Sequence, residues 1–233
     1  SEEAILASVK AAVDIAKYTS QDPYAGLLDK QFLETNPLDL DLYHPSHKST
    51  DDLLELAKQC EDMALSLDKR IVNSDGAGAN SHSSLQVYGN SNGFLESYAS
   101  SRHSLSCVSI AQQNEEMQRD YSYSSARDMN DLLSAKWVAE QAVKRTVERL
   151  GARKIATQES PVLFCPEMAS GLFGHLVGAI SGGSLYKKSS FLLDSIDTQI
   201  FPDWMSISED PHIIKGIASS PFDSEGGRTV KRN

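Results

Sequence analysis

A run of short alternating segments between two amphipathic helices limits this chain to few folds. From about residue 71 to residue 127, apolar and polar residues alternate, and turns such as Asn92-Gly93 separate the segments. Alternation with a period of two is typical of half-buried strands, and Asn-Gly favours tight hairpin turns. We therefore predict an antiparallel meander. A phase change between Cys107 and Val108 indicates either a bulge or a strand that is buried on both faces.

Helical patterns flank the predicted meander on both sides. The first begins at a Ser49 or Thr50 cap and continues to about Lys69, and the second runs from near Ser134 to Leu150. The residues expected to face inward are Leu53, Leu56, Ala57, Cys60, Met63, Ala64 and Leu67 in the first helix, and Ala139, Val143, Val147 and Leu150 in the second. Helix, meander and helix predict one α+β unit, with the antiparallel sheet flanked by helices.

Two further elements are predicted before this unit. A helix is expected from Glu2 to about Tyr18, because its apolar residues recur at amphipathic spacing. A polar, proline-punctuated linker follows. Within it, residues 37–45 alternate leucines with acidic residues, which predicts a half-buried strand.

The stretch from Ser160 to Tyr186 has a different texture. Its first part, Val162 to Cys165, is a short apolar run between two prolines and predicts a buried strand. A glycine-containing apolar helix is expected next. Further strands are predicted at residues 191–196 and 200–207. A domain boundary near residue 157 and the start of a second, β-rich domain fit this change.

The glycines of this stretch predict close packing. Gly171, Gly174 and Gly178 fall along one stripe of a helix, where another backbone can approach, and Gly182-Gly183 is expected to end that helix. Three glycines also weaken a helix by about 1 kcal/mol each relative to alanine, so another part of the structure must hold it in place. Gly174→Leu is accordingly expected to destabilise the fold by about 1–3 kcal/mol through overpacking.

Composition excludes several functional classes. The 233 residues carry a net charge of −10, which argues against a broad phosphate-binding face and hence against direct contact with nucleic acid. No apolar run approaches the roughly 20 residues that span a bilayer, so no membrane association is expected. The three cysteines show no C-x-x-C spacing and predict reduced intracellular thiols. We expect a cytoplasmic protein.

The histidines do not predict a metal site or a catalytic site. His44 and His47 form the only close pair, but they lie in the proline-rich linker without a third donor, which favours a solvated loop. His103 and His175 are each expected to make a structural hydrogen bond, His175 to a backbone carbonyl.

Other reactive side chains are also expected to be structural. No G-x-S-x-G motif is present, and Cys107 and Cys165 are predicted to be inert thiols within strands. Tyr121 and Tyr123 share one strand face and are expected to pack. From the residues alone, we predict no catalytic group and no metal ligand on this chain.

Several gap-free blocks resemble one known family. These blocks are GLFGHLVGAISGG (171–183), YKKSSFLLDSI (186–196), IFPDW (200–204), HIIKGIASSPFDSEG (212–226) and, upstream, NSDGAGANSH (73–82). They resemble the PmbA (TldE) branch of the TldD/PmbA proteins. The resemblance covers nearly the whole sequence and implies a middle portion of a longer chain. It implies the end of an N-terminal domain at 1–22, a central α+β domain at 23–156 and the first part of a C-terminal β-rich domain at 157–233.

The resemblance also implies a role. TldD-type members carry an H-E-x-x-x-H helix in which two histidines bind zinc and the glutamate acts as base. On that helix Gly174 takes the first histidine position, His175 the glutamate position and Ala179 the second histidine position, so both ligand positions lack a donor here.

Three functions remain open at this point. The first is a metal-free subunit, paired with a zinc-containing TldD-type partner or forming a homodimer in isolation, that shapes a chamber and holds unfolded peptide. The second is a metallopeptidase or other hydrolase in its own right. The third is a protein-binding regulator of DNA gyrase.

Overall fold

The predicted meander is present as three antiparallel strands, β1 (Ile71–Gly89), β2 (Leu95–Gln113) and β3 (Glu116–Ala126), which lie in that order in one sheet. The structure, a computed structural model, describes residues 1–232. The helices of these residues are α1 (Glu2–Tyr18), α2 (Thr50–Leu67), α3 (Ala135–Glu148), α4 (Pro166–Ile180) and α5 (Gly182–Tyr186), and short 3-10 turns lie at Lys30–Phe32 and Met129–Asp131. The expected α+β fold, a meander flanked by helices, is confirmed.

Turn chemistry sets both hairpins. Between β1 and β2, the Asn90 N–H donates to the Phe94 carbonyl at 2.9 Å, and Gly93 adopts a φ of +94° that favours glycine. Between β2 and β3, Asn114 takes the left-handed conformation that asparagine tolerates better than most residues. These short connections keep consecutive strands adjacent in the sheet.

The register of the central strand is regular. Along β2, Leu105, Cys107 and Ala111 are buried on one face, while Val108 and Ile110 are half-buried on the other. The phase change therefore reflects a strand partly buried on both faces, which was one of the two predicted explanations. The irregularities lie instead in β1, before Gly76.

Helices α2 and α3 cover one face of the sheet. A serine caps each helix: Ser49 Oγ accepts the Asp52 N–H at the start of α2, and Ser134 Oγ accepts the Trp137 N–H at the start of α3. The core that they form with the sheet consists of small and medium side chains, namely Cys60, Ala64, Ile71, Leu105, Cys107, Ala111, Val138, Ala139, Ala142 and Val143. Small residues on both sides of the interface let the helices lie close to the strands.

The extended segment 37–44 runs alongside the first half of β2. Leu40 and Leu42 are buried and Leu38 is half-exposed, so burial of the leucines is largely as predicted. The segment forms no ladder, however. The Ser101 N–H donates to the Leu42 carbonyl and the Lys215 N–H to the Leu40 carbonyl, both at 2.9 Å. The predicted strand is therefore an extended strap between two distant parts of the chain.

Residues 157–232 differ most from the expectation. The strands predicted at Val162–Cys165, 191–196 and 200–207 are wrong, because these segments are coil and turns. Leu163 is 98% exposed, so the apolar run before α4 is not buried within this chain. The described residues hold only two isolated bridges outside the sheet, Leu33 with Gly227 and Glu209 with Arg232. An apolar segment forms a strand only where a neighbouring strand can satisfy its backbone N–H and C=O groups.

A second, smaller core attaches the C-terminal part to the tip of the first hairpin. Phe94 packs against Phe222 with ring centroids 5.2 Å apart, and Leu33 joins them. Gly226 lies against the Phe94 ring and has a φ of +79°. Helix α1, by contrast, has no buried residue, and its amphipathic face contacts no core in the described chain. None of the described helices is long and apolar enough to cross a membrane.

The first prediction concerns the main core. Leu105→Ala should lower the free energy of unfolding by about 2–5 kcal/mol, because Leu105 is almost fully buried and the substitution leaves a cavity. Urea denaturation followed by circular dichroism measures this loss. Leu95→Ala, at an exposed position of the same strand, is the control and should change the free energy by less than about 0.5 kcal/mol. Equal losses for the two variants would contradict the assignment of this core.

Candidate functional site

Helix α4 carries the three positions of the degenerate motif. Pro166 occupies its first turn, where the missing N–H costs nothing, and the preceding Cys165 is its N-cap residue. Cys165 is exposed and lies outside any strand, so its predicted place in a strand is wrong. Most of the apolar side chains of α4 are exposed, and Ala179 is its one buried residue among those described.

One ion pair attaches the start of α4 to the sheet unit. The Arg145 guanidinium, on α3, donates to both carboxylate oxygens of Glu167, at 3.1 Å and 2.7 Å. The same guanidinium donates to the Tyr121 carbonyl of β3 at 3.4 Å. The Glu167 carboxylate raises the pKa of Arg145 through these hydrogen bonds. A carboxylate in the first turn also suits the positive end of the helix dipole.

A cavity of about 720 Å3 lies beside this ion pair. It is lined by β3, by the end of α3 and by the beginning of α4. Two of its charged groups neutralise each other, because Arg149 Nη1 lies 3.0 Å from the Asp120 carboxylate. Its walls thus present paired charges and one free thiol, that of the exposed Cys165.

The motif positions do not form a catalytic group. Gly174 lies on an open surface, where a Cβ added to the residue would meet no atom within 4 Å. His175 is exposed and makes no hydrogen bond within residues 1–232, so the expected bond to a backbone carbonyl is wrong.

The residues present do not fit a zinc ion. Glycine and alanine supply no donor at the two ligand positions, and His175 alone offers a single nitrogen, whereas zinc requires three or four protein ligands. Within residues 1–232, no group of three or more His, Cys, Asp or Glu side chains is arranged to hold a metal ion. No chemical step can therefore be derived through a metal on α4.

The glycine positions are open within this chain. A Cβ added at Gly171, Gly174 or Gly178 would meet nothing within 4 Å, and the same is true of Gly182 and Gly183. The predicted close approach of another backbone is not made by the described residues. Gly182-Gly183 does not end α4 either. Helix α4 ends at Ile180, and the two glycines begin α5, which Ser181 caps.

His44 and His103 have structural partners. His103 is fully buried and its Nε2 lies 2.9 Å from the His44 carbonyl, which confirms the expected hydrogen bond. His44 is half-buried rather than solvated, since its Nε2 lies 3.1 Å from an Asp41 oxygen and its Nδ1 3.5 Å from Asp128. Lys215 lies 3.6 Å from the same Asp128 oxygen. This cluster joins three distant segments, and no spacing in the sequence could have revealed it.

The cysteine pair and the tyrosine pair differ in their burial. Cys107 is buried as expected, next to Cys60, and the hydrogen bond between the two thiols raises the pKa of Cys60, with burial adding to it, and lowers the pKa of Cys107. Both thiols are fully buried and therefore closed to reagents in solvent. Tyr121 and Tyr123 stack on each other with ring centroids 6.3 Å apart, as expected for a packing pair, although each ring is more than half exposed.

Comparison with known families now decides the affiliation. The family model of the PmbA/TldA metallopeptidase central domain matches residues 43–150, and that of the PmbA/TldA metallopeptidase C-terminal domain matches residues 157–233. The chain belongs to the PmbA/TldA metallopeptidase family. Within this family it falls in the PmbA branch, because it is 53% identical over 233 residues to Metalloprotease PmbA of Escherichia coli O157:H7 and 50% identical over 232 residues to a homologue of Haemophilus influenzae.

The matches cover only part of these relatives. The chain is covered completely, but it spans about half of each curated relative, 52% and 51% respectively. Solved structures agree with the fold. A candidate modulator of DNA gyrase from Bacteroides thetaiotaomicron superposes with a TM-score of 0.91 at 28% identity, covering all of this chain and 54% of that one. TldE from Thermococcus kodakarensis, 21% identical, has the same fold with a TM-score of 0.80 and coverage of 99% and 52%.

The second prediction reverses the expected effect of Gly174→Leu. Because the position is open, the substitution should leave the unfolding free energy of this chain unchanged or raise it by up to about 1 kcal/mol, since leucine is the better helix former. Gly226→Ala provides the comparison. Its Cβ would lie 2.8 Å from Phe94 Cδ1, at a φ of +79°, and stability should fall by more than about 1 kcal/mol. A loss of 1–3 kcal/mol from Gly174→Leu, seen by thermal denaturation, would show that the glycine face is packed after all.

Proposed function

We propose that this chain is the metal-free subunit of a heterodimeric zinc metalloprotease of the TldD–TldE type. In this proposal a TldD-type partner holds the zinc ion and hydrolyses unfolded peptides in the cytoplasm. The present chain shapes the enclosing chamber and holds the substrate in extended form. Alone, it forms a homodimer.

The observation that carries the proposal is the absence of donors at the motif. Gly174 and Ala179 stand where a zinc-binding member has histidines, and the intervening His175 has no group nearby with which to act as base. The helix itself is nevertheless formed. The helix is present in the fold but lacks the residues that bind zinc. This combination is consistent with a subunit that supports a catalytic partner.

Unsatisfied apolar surface supports an assembled state. On α4, Leu172, Val177 and Ile180 each expose more than half of their surface, and Leu163 just before it is almost fully exposed. In the proposal this exposed apolar surface is a contact surface for the partner subunit. The open glycine stripe on the same helix would let a partner backbone come close.

The sheet provides a means of holding peptide. Strand β1 is 19 residues long and forms one edge of the sheet. Its N–H and C=O groups along that edge have no strand partner among the described residues. An extended peptide can pair with such an edge through main-chain hydrogen bonds that do not depend on sequence, which suits unfolded substrates of varied sequence.

A second candidate is a metallopeptidase active without a TldD-type partner. The name of the curated relatives, Metalloprotease PmbA, favours it. It would require metal ligands elsewhere in the protein, because α4 supplies none. A regulatory role is a third candidate, because the Bacteroides neighbour is described as a candidate modulator of DNA gyrase.

The third prediction separates the two enzymatic candidates by metal content. The protein purified alone should retain no stoichiometric zinc after dialysis, and its complex with a TldD-type partner should retain about one zinc per heterodimer. Elemental analysis by mass spectrometry measures both. Zinc that is stoichiometric with this chain alone would favour the second candidate and end the proposal of a metal-free subunit.

The fourth prediction divides the chemistry between the subunits. In the reconstituted pair, His175→Ala should leave peptide hydrolysis within about threefold of wild type, because the exposed imidazole makes no hydrogen bond or ion pair in the described chain. Replacing the glutamate of the partner's H-E-x-x-x-H motif should lower the rate by about 100-fold or more, as expected for loss of a positioned general base. Gel filtration of each pair controls for assembly. A loss of similar size from His175→Ala with assembly intact would mean that this chain takes part in the chemistry.

A further inference from the structure

Strand β3 is too short to cover β2. The two strands pair from Gln113–Glu116 at one end to His103–Ala126 at the other. Strand β2 begins eight residues earlier, at Leu95. Residues 95–100 of β2 are therefore paired with β1 on one side only, and their other side is an uncovered edge.

The direction of the free backbone groups follows from Ser101. Its N–H donates to the Leu42 carbonyl at 2.9 Å, and its carbonyl accepts from Arg127 Nη1 at 3.2 Å, so both groups point away from β1. The pairing of β1 with β2 is regular from Leu95 to Ser101. Every second residue points the same way, so the N–H and C=O of Ser97 and Ala99 also face the uncovered edge. Within residues 1–232, neither residue has a hydrogen bond on that side.

The strap formed by residues 37–44 faces this edge across a gap. Leu42 bonds to Ser101 and the His44 carbonyl to His103, so the strap runs parallel to β2 at its near end. Before Leu42 it makes no hydrogen bond with β2. The resulting cavity is about 520 Å3 in volume. Its lining residues are Pro37, Leu38, Asp39, Leu40, Asp41, Leu42, Tyr43, Glu96, Ser97, Tyr98, Ala99 and Pro221.

The charged side chains that line this cavity are all acidic. Asp39, Asp41 and Glu96 line it, and none of the lining residues is basic. Asp41 lies 3.1 Å from the His44 ring, but neither Asp39 nor Glu96 has an ion-pair partner in the described part of the chain. Half-exposed Leu38 and Tyr43 add apolar surface to the same wall.

We infer that this cavity is a binding site for an extended peptide segment with basic side chains, which pairs with Ser97 and Ala99 as an additional strand of the sheet. The four free backbone groups of these two residues supply the main-chain bonds. Asp39 and Glu96 supply charge complementary to lysine or arginine. The site lies on β2 and not on the β1 edge proposed above to hold substrate, and it needs neither zinc nor a catalytic partner, so it is tested separately from the proposed function.

The test uses a fluorescein-labelled, end-capped peptide of alternating lysine and valine, with the intact protein at low salt. Fluorescence anisotropy should show saturable binding, and a glutamate–valine peptide should bind at least about fivefold more weakly. The double substitution Asp39→Asn, Glu96→Gln should weaken binding of the lysine peptide by about fivefold and flatten its salt dependence. No saturable binding of the lysine peptide, or equal binding of the two peptides, would overturn the inference.

A matched pair of proline variants locates the edge. Ser97→Pro removes one outward N–H and should weaken binding by about fivefold, since proline is tolerated on an edge strand but cannot donate. Ser91 is the second residue of the turn between β1 and β2, and its N–H makes no backbone hydrogen bond in the described chain. Proline is favoured at that turn position, so Ser91→Pro should leave binding within about twofold, and a loss as large as that of Ser97→Pro would place the peptide elsewhere. Circular dichroism verifies folding, and if Ser97→Pro does not fold, the double charge variant decides the outcome.

Discussion

The burial of β2 beneath α2 and α3 is the interaction on which the rest of this structure depends. Leu105, Cys107 and Ala111 are almost completely buried there, and the helices meet them with small side chains such as Ala139 and Ala142. Because the interface is built from small residues, the helices lie close to the sheet and leave little room for rearrangement. The strap, the second core and the start of α4 all attach to this unit.

The sequence was sufficient where the determinants are local. The helices α1, α2 and α3 and the meander could be predicted because capping residues, turn residues and periodicity lie within each element, as at Ser49 and Asn92-Gly93. The strands predicted after residue 157 were wrong for a physical reason. The apolar run at Val162–Cys165 indicates that its side chains favour burial, but it does not indicate which part of a structure would bury them. The described chain supplies no neighbouring strand.

The site was predictable in part. That positions 174 and 179 cannot bind zinc follows from glycine and alanine themselves, whatever the fold. The environment of α4 did not follow from the sequence. The exposure of His175, the pairing of Arg145 with Glu167 and the open glycine stripe depend on residues that are far apart in the chain. The carboxylates around His44 and Lys215 converge from separate segments and leave no periodic signal.

The ion pair between Arg145 and Glu167 makes the two parts of the molecule respond differently to their surroundings. The sheet unit is held by buried apolar contacts, which added salt does not weaken. The first turn of α4 is instead attached through a partly exposed bidentate charge pair, whose attraction declines as ionic strength rises. The orientation of α4 is consequently adjustable by the ionic environment, while the sheet to which it is attached behaves as a fixed base.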